Sequence, residues 1–381
     1  MITTPLTGAL VRGAAELEET GRGLRPHRLP APVRTRFPDP QLLAAESQPS
    51  GVRLVMATAA RTVELVLHPT RATYRGISRP RGSVDLVVDG ERLASEQLDG
   101  GDHVETDLRT GTSELHAGPA CTIRFAGLAD ADKAVEIWLP HNEAVELVAL
   151  RTDAPVRPVE PTRRVWLHHG SSISHGSNAA TPTGIWPAVA ARHGDVELHN
   201  LGFGGSALAD QFVARVMRDR PADLISVKLG INVVNFDAMR LRAFVPAVHG
   251  FLDTVRDGHP GTPLVLISPI FCGVHEDTPG PGELDADALA AGEVAFTATG
   301  PHGPAPQLTL RIIRDALRSL AERREDDPRL HYLDGTRLYG EQDAITHPLP
   351  DALHPDAATH ELIGERFARY AFAPGGPFAG R

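Results

Sequence analysis

The order of apolar and polar residues changes rhythm once along the chain. In its first part the apolar positions alternate. "TVELVLHP" sets Val63, Leu65 and Leu67 on one face, the two-residue period of a half-buried strand. "SVDLVVDGERLASEQL" does the same with Val84, Leu86 and Val88, then meets Asp89-Gly90, a pair suited to a tight hairpin turn. "CTIRFAGL", "AVEIWLP" and "AVELVAL" extend the series. Short, closely spaced strands with turn residues between them predict an antiparallel β-sandwich of jelly-roll type. Ahead of them, residues 1 to about 50 are broken up by Pro and Gly and show one helix-like piece, "ALVRGAAELEE".

"RTDAPVRPVEPTRR" follows, with Pro155, Pro158 and Pro161 in quick succession, and reads as a stiff extended linker. Beyond it, buried-type runs ("RVWLHH", "VELHN", "LISVKLG", "PLVLISPI", "LHYLDG") alternate with helix-period segments such as "ALADQFVARVMRD" and "LTLRIIRDALRSLAERR". That alternation predicts a parallel sheet covered by helices on both faces. The expected domains are an N-terminal extension and β-sandwich over residues 1–150, a Pro-rich linker over 151–162, an α/β domain over 163–375 and a tail over 376–381. One irregular stretch, 272 to about 305, is rich in Gly, Pro and acidic residues. It follows the carboxyl end of a strand, where such sheets bind ligands, and is expected to act as a lid or specificity loop.

Composition narrows the partners. The chain has 381 residues, 41% hydrophobic and 23% charged, as expected of a globular protein with two domains. A formal net charge of -10 argues against nucleic acid, which calls for a basic face. Lysine occurs only at Lys133 and Lys228. Cys121 and Cys272 are the only cysteines, too few for a disulfide framework or a multi-cysteine zinc site. No stretch reaches the length of a membrane span, and the N-terminus lacks the basic and apolar segments of a secretion signal. A cytoplasmic protein is expected.

Four stretches at strand ends carry candidate chemistry: "HHGSSISHG" (168–176), "HNLGFGGSA" (199–207), "KLGINVVN" (228–235) and "DALHPDAATHELIGERF" (351–367). A serine hydroxyl becomes a nucleophile when a base lies within hydrogen-bond reach and a third group fixes that base's tautomer. Asp351 and His354, three apart, fit one turn with the carboxylate against Nδ1 and Nε2 left for the serine. A tetrahedral intermediate also needs donors aimed at its oxyanion. The Gly205 backbone N–H, the Asn232 side-chain amide and the nucleophile's own N–H at a helix start are the candidates.

In this order the four stretches resemble the four sequence blocks of the SGNH hydrolases, also called the GDSL esterase/lipase superfamily, over essentially residues 163–372. Gly170-Ser171-Ser172-Ile173-Ser174 resembles the Gly-Asp-Ser-Ile-Thr block, which makes Ser172 the nucleophile. Asn200-Leu201-Gly202-Phe203-Gly204-Gly205 resembles the second block, whose last glycine is an oxyanion donor. Gly230-Ile231-Asn232 resembles the third, and Asp351-Ala352-Leu353-His354-Pro355 the last. The strand-rich first part is similar to a branch that carries a β-sandwich before the hydrolase.

The resemblance implies a flavodoxin-like three-layer α/β domain with Ser172, His354 and Asp351 as catalytic residues. It also implies an oxyanion hole of Ser172, Gly205 and Asn232, and no metal or cofactor. The implied reaction is hydrolysis of an ester of a small or medium acyl group, deacetylation included, through an acyl-enzyme on Ser172. Acyl transfer and thioester cleavage use the same residues and stay open. A non-catalytic carbohydrate- or ligand-binding protein is the alternative of another class. The expected partner is a small-molecule ester or acyl substrate. The sandwich is expected to wall the active site or form a homodimer interface. One departure from the family pattern is Ser171, which stands where an aspartate is usual and removes a charge beside the nucleophile.

The remaining polar residues have plainer readings. Ser171 is expected to hydrogen-bond locally and Ser174 to cap or turn. His168 and His169 are neighbours on a strand and point to opposite faces, so they cannot chelate one ion together. One is expected in the core and the other in the site wall. His175 and Trp186 are read as packing beside the pocket, and His275, Glu276 and Asp277 as solvated loop residues. "GFGGSA" lacks the GxGxxG order and the Walker lysine, which argues against nucleotide binding.

Overall fold

The computed structural model describes residues 1–77, 79–301 and 306–380. The chain divides into two compact units, residues 1–162 with 181–183, and residue 163 onward without that short return.

The first unit is a sandwich of two largely antiparallel sheets. In one, the long strand Thr62–Tyr74 lies between Asp102–Thr106, its parallel partner, and Ala144–Thr152, its antiparallel partner. In the other, Arg53–Thr58, Lys133–Trp138 and Ser83–Val88 pair in that order. Alternation drives the packing. Cys121–Ala126 buries Cys121, Ile123 and Phe125 and exposes the residues between them. Those side chains join Leu54, Met56, Val63, Leu65, Leu67, Val84 and Leu86 in one apolar core. The Asp89-Gly90 hairpin forms as expected, with both residues at positive φ, 48° and 86°.

Two expectations for this unit need correction. The helix-like piece "ALVRGAAELEE" is two short strands, Val11–Arg12 and Glu16–Glu19. Gly13 sits at φ 86°, where a Cβ would approach the Gly51 carbonyl oxygen to 2.8 Å, so the chain turns there. Glu16–Glu19 then pairs with Leu24–His27, and this ladder overrides the helix propensity of Ala, Leu and Glu. The proline-rich stretch is also not wholly a linker. Val156–Pro158 forms an edge strand against Arg53–Thr58, a position that tolerates a proline.

The second unit is an α/β domain. Its elements are β1 (Val165–Gly170), α1 (Ser172–His175), α2 (Trp186–Gly194), β2 (Glu197–Gly202), α3 (Gln211–Asp219) and β3 (Leu224–Lys228). α4 (Ile231–Asn235), α5 (Leu241–Gly258), β4 (Leu264–Ile267), α6 (Leu310–Glu322), β5 (Leu330–Leu333) and α7 (Ala357–Ala371) follow, with shorter elements in the connections. The strands are all parallel and run in the order β2-β1-β3-β4-β5. This is the flavodoxin-like order, whose chain reversal beside the first strand opens a crevice at the strands' carboxyl ends. β3 and β4 are buried throughout, as strands covered on both faces must be. Trp166 on β1 stacks on Phe367 of α7 at 5.1 Å between ring centroids. Phe378, expected in a tail, is buried and joins this aromatic group, while Arg381 lies outside the described residues.

Candidate active site

Each candidate block lies just past the carboxyl end of a strand or, for the last, just before α7. Close packing requires glycine at two of these ends. A Cβ on Gly170 would meet the Ser174 hydroxyl at 2.3 Å, and one on Gly202 would meet the His175 backbone nitrogen at 2.5 Å. The one-turn helix α1 therefore packs directly against the ends of β1 and β2, with Ser172 as its first residue.

The structure brings the predicted triad residues together. The Ser172 hydroxyl lies 2.9 Å from His354 Nε2, and His354 Nδ1 lies 2.8 Å from Asp351 Oδ2. Asp351 Oδ1 accepts from the backbone N–H groups of Leu353 at 3.0 Å and His354 at 2.6 Å. Burial pushes the Asp351 carboxyl upward, but the imidazole and these donors outweigh it and hold the group below its ordinary value. The carboxylate thus stays ionised and fixes His354 as the Nδ1–H tautomer, with Nε2 facing the hydroxyl. Such an array can take a proton from the serine and return it to a leaving group.

Of the predicted oxyanion donors, Gly205 is placed beside Ser172 by the residue before it. Gly204 packs on Ser172, so that a Cβ there would lie 3.7 Å from the Ser172 Cβ, and Gly205 follows at φ 71°. Asn232 is buried, and its Oδ1 accepts from the Ala207 N–H at 3.0 Å, which leaves its NH2 as the free end. Among the described residues, the N–H groups of Ser172 and Gly205 and the Asn232 NH2 have no protein acceptor.

Several neighbours of the site are not marked by any pattern in the sequence. Asn178 donates to Asp351 Oδ2 at 3.1 Å and sits at φ 64°, a conformation asparagine tolerates well. Its place after the glycine that ends α1 was the available clue. His360, on α7, holds the adjacent Ser177 carbonyl at 2.9 Å, and burial depresses its imidazole to about 4, so it is a neutral strut. Phe296, inside the irregular stretch, sets its ring edge-on to His354 at 5.7 Å between centroids, and its N–H donates to the Asp351 carbonyl. Cys272 donates its thiol to the Ala352 carbonyl at 3.3 Å. The stretch thus packs on the Asp351–His354 turn and carries two short strands, Gly282–Leu284 and Phe296–Ala298; its residues 302–305 lie outside the described ones.

Other expectations change. His168 and His169 are both fully buried, so neither forms a site wall. His168 links the Ser226 and Ser174 hydroxyls, at 2.7 and 2.8 Å. His169 bonds the Leu201 carbonyl and stacks on Phe251, and burial lowers it to about 4. Ser174 is therefore a core residue. Ser171 caps α1 only through its carbonyl; its buried hydroxyl has no partner among the described residues. Trp186 is core, and His175 accepts from the Gly204 N–H at 3.3 Å, tying α1 to the glycine loop. His275 and Glu276 are buried rather than solvated, because Glu276 pairs with Arg314 of α6; Asp277 is exposed and pairs with Arg311.

Lys228 closes β3 below this site. It is 2% exposed, and among the described residues its ammonium has no hydrogen-bond partner. Burial pulls it from 10.5 down to about 8. A base whose folded value is depressed costs stability fully below that value, and the cost fades as pH rises toward the unfolded value. Lys228→Met is therefore expected to raise stability at pH 7 by about 3 kcal/mol, a gain that shrinks between pH 8 and 10.5. Urea unfolding of both proteins at pH 7 and pH 10 checks this; an advantage equal at both would contradict it.

One group of metal-type side chains occurs among the described residues, His193, Glu361 and Glu365, with ligand atoms within 4.8 Å of one another. It lies on the surface, and Glu361 already meets Arg192 at 3.3 Å.

A flavodoxin-like sheet with a hydroxyl, imidazole and carboxylate in line at its carboxyl edge defines a class, the serine-dependent α/β enzymes of SGNH type. The model of the GDSL-like lipase/acylhydrolase family matches residues 169–362, and that of the SsfX3 N-terminal domain matches residues 10–148. The chain belongs to the GDSL-like lipase/acylhydrolase family. Among solved structures it is similar to the salicylyl-acyltransferase SsfX3 from a tetracycline biosynthetic pathway, at 28% identity and a TM-score of 0.78, over 96% of this chain and 94% of that one. A Bacteroides ovatus protein described as a GDSL-like lipase shares the fold at 17% identity and a TM-score of 0.67, covering 94% and 93%. So does the acetyl xylan esterase Est2A of Butyrivibrio proteoclasticus, at 12% and 0.53, covering 98% and 97%. No curated protein matches the sequence. Among the described residues no helix is long and apolar enough to cross a membrane.

Proposed function

We propose that the protein is an esterase that works through an acyl-enzyme on Ser172. The observation that carries this reading is the 2.9 Å contact between the Ser172 hydroxyl and His354 Nε2, with Asp351 behind the imidazole. As Oγ bonds to the acyl carbon, His354 takes its proton, and the carbonyl oxygen becomes an oxyanion held by Ser172 N–H, Gly205 N–H and the Asn232 NH2. Collapse breaks the ester C–O bond, and the same proton leaves with the alcohol. Water, deprotonated by His354, then attacks the acyl-enzyme and regenerates the serine. A small or medium acyl group on a small-molecule ester is the substrate class.

A second reading, acyl transfer to an alcohol or amine, is favoured by the 28% identity to a salicylyl-acyltransferase along 96% of the chain. The Phe296 ring against His354 supports it, since apolar cover at the base disfavours water as acceptor. Incubating the protein with p-nitrophenyl acetate, with and without a primary alcohol, tests both. Acetate alone supports hydrolysis, and a new acetyl ester supports transfer. Folded protein that neither releases p-nitrophenol nor carries an acetyl group would overturn the proposal.

A further inference from the structure

The far end of α7 carries a second concave site. The triad turn precedes the amino end of this helix, and 15 residues separate it from the other end, a run of roughly 20 Å. There, beside β5 at the sheet edge, lies a cavity of about 860 Å³. Arg329, His331, Arg337, Arg369 and Tyr370 line it together with the turn around Gly376, and no carboxylate is among its lining residues.

The charge here is unusual for an acidic chain. The nearby carboxylates are already engaged, Asp327 with Arg256, Asp334 with Arg318 and Asp343 with Arg366. Among the described residues, Arg329, Arg337 and Arg369 have no ion-pair partner. Arg337 is exposed, and its guanidinium lies over the Tyr370 ring, 5.4 Å from the centroid, which orients it beside the groove. Three arginines lining one groove without counter-ions suit an anion with several oxygens, because each guanidinium presents a rigid fork of donors. The volume exceeds what one inorganic phosphate fills and suits a small organic ligand.

We propose that this groove binds a small molecule bearing a di- or polyphosphate group, at a site separate from the triad. The phosphate oxygens take the guanidinium forks of Arg329, Arg337 and Arg369, and the remainder of the ligand lies along Tyr370 and the turn at Gly376. The inference does not rest on the esterase reading.

Isothermal titration with pyrophosphate and with ADP, in about 150 mM salt, tests it against the variant R337Q/R369Q. Both arginines are exposed, so the variant is expected to fold, and its circular dichroism and melting temperature check that it does. Wild type is expected to bind with saturation, and the variant at least about tenfold more weakly. Equal affinity for the two probes assigns recognition to the phosphates alone, whereas tighter ADP binding adds a contact to the nucleoside. No saturable binding of either probe up to about 10 mM overturns the proposal, as does equal binding by the folded variant.

Discussion

Ser172→Ala is expected to lower p-nitrophenyl acetate turnover by a factor on the order of 10⁵ to 10⁶ and to abolish labelling by a fluorophosphonate, read as intact-protein mass. Three serines crowd this stretch, and the structure separates them by access and by partner. Ser174 is fully buried and committed to His168 at 2.8 Å. Ser171 is buried, and its hydroxyl has neither a base nor any other partner among the described residues. Ser172 alone of the three combines partial exposure with an imidazole at 2.9 Å. Labelling that survives in the alanine variant would move the nucleophile elsewhere and end the present reading. Loss of label with an unchanged melting temperature would leave a chemical cause only, since removing one partly exposed hydroxyl creates no large cavity.

The same serines show how far a sequence can be read. The blocks that meet at Ser172 and His354 are legible in the sequence because acyl transfer needs particular residue types at strand ends, and the α/β alternation marks where strands end. His354 and Asp351 fit one turn by spacing alone, and the turn forms with both bonds in place. Asn178 was not legible, since its contact with Asp351 crosses 173 positions of chain and depends on a left-handed backbone after α1. His275 and Glu276 looked solvated because loops rich in Gly and acidic residues usually are. Arg314 comes from a helix beyond the loop, and that long-range partner is what buries them. The segment around Glu16–Glu19 reads as helix for a similar reason. Ala, Leu and Glu favour helix locally, and only the pairing of Glu16–Glu19 with Leu24–His27 decides otherwise. Local rules identified elements whose partners lie close in sequence or whose period is strong. They failed where one distant contact settles the outcome.

Asp351→Asn is expected to cost about 10⁴-fold in kcat while leaving the fold intact. The argument follows from which way the new amide must turn. In the wild type Oδ1 accepts from the Leu353 and His354 backbone N–H groups, and Oδ2 accepts from His354 Nδ1–H and from Asn178. Asparagine has one acceptor oxygen, and two short backbone donors claim it. Its NH2 then faces His354 Nδ1, which must become the acceptor, and the ring proton moves to Nε2. Nε2–H can donate to Ser172 but cannot take its proton, so the base is lost although every heavy atom stays in place. The Asn178 amide would also confront a like donor at 3.1 Å, so a modest loss of stability accompanies the change. Fluorophosphonate labelling of Ser172 should slow by a factor similar to turnover, because both require the same proton transfer. Adding Asn178→Asp to Asp351→Asn would return an acceptor beside the new amide and relieve that clash, but it would not restore the tautomer at His354. Kinetics of the single and double variants therefore separate the two effects. Recovery of stability without recovery of kcat is the expected pattern, and recovery of kcat as well would show that a lost tautomer at His354 is not what the single variant suffers.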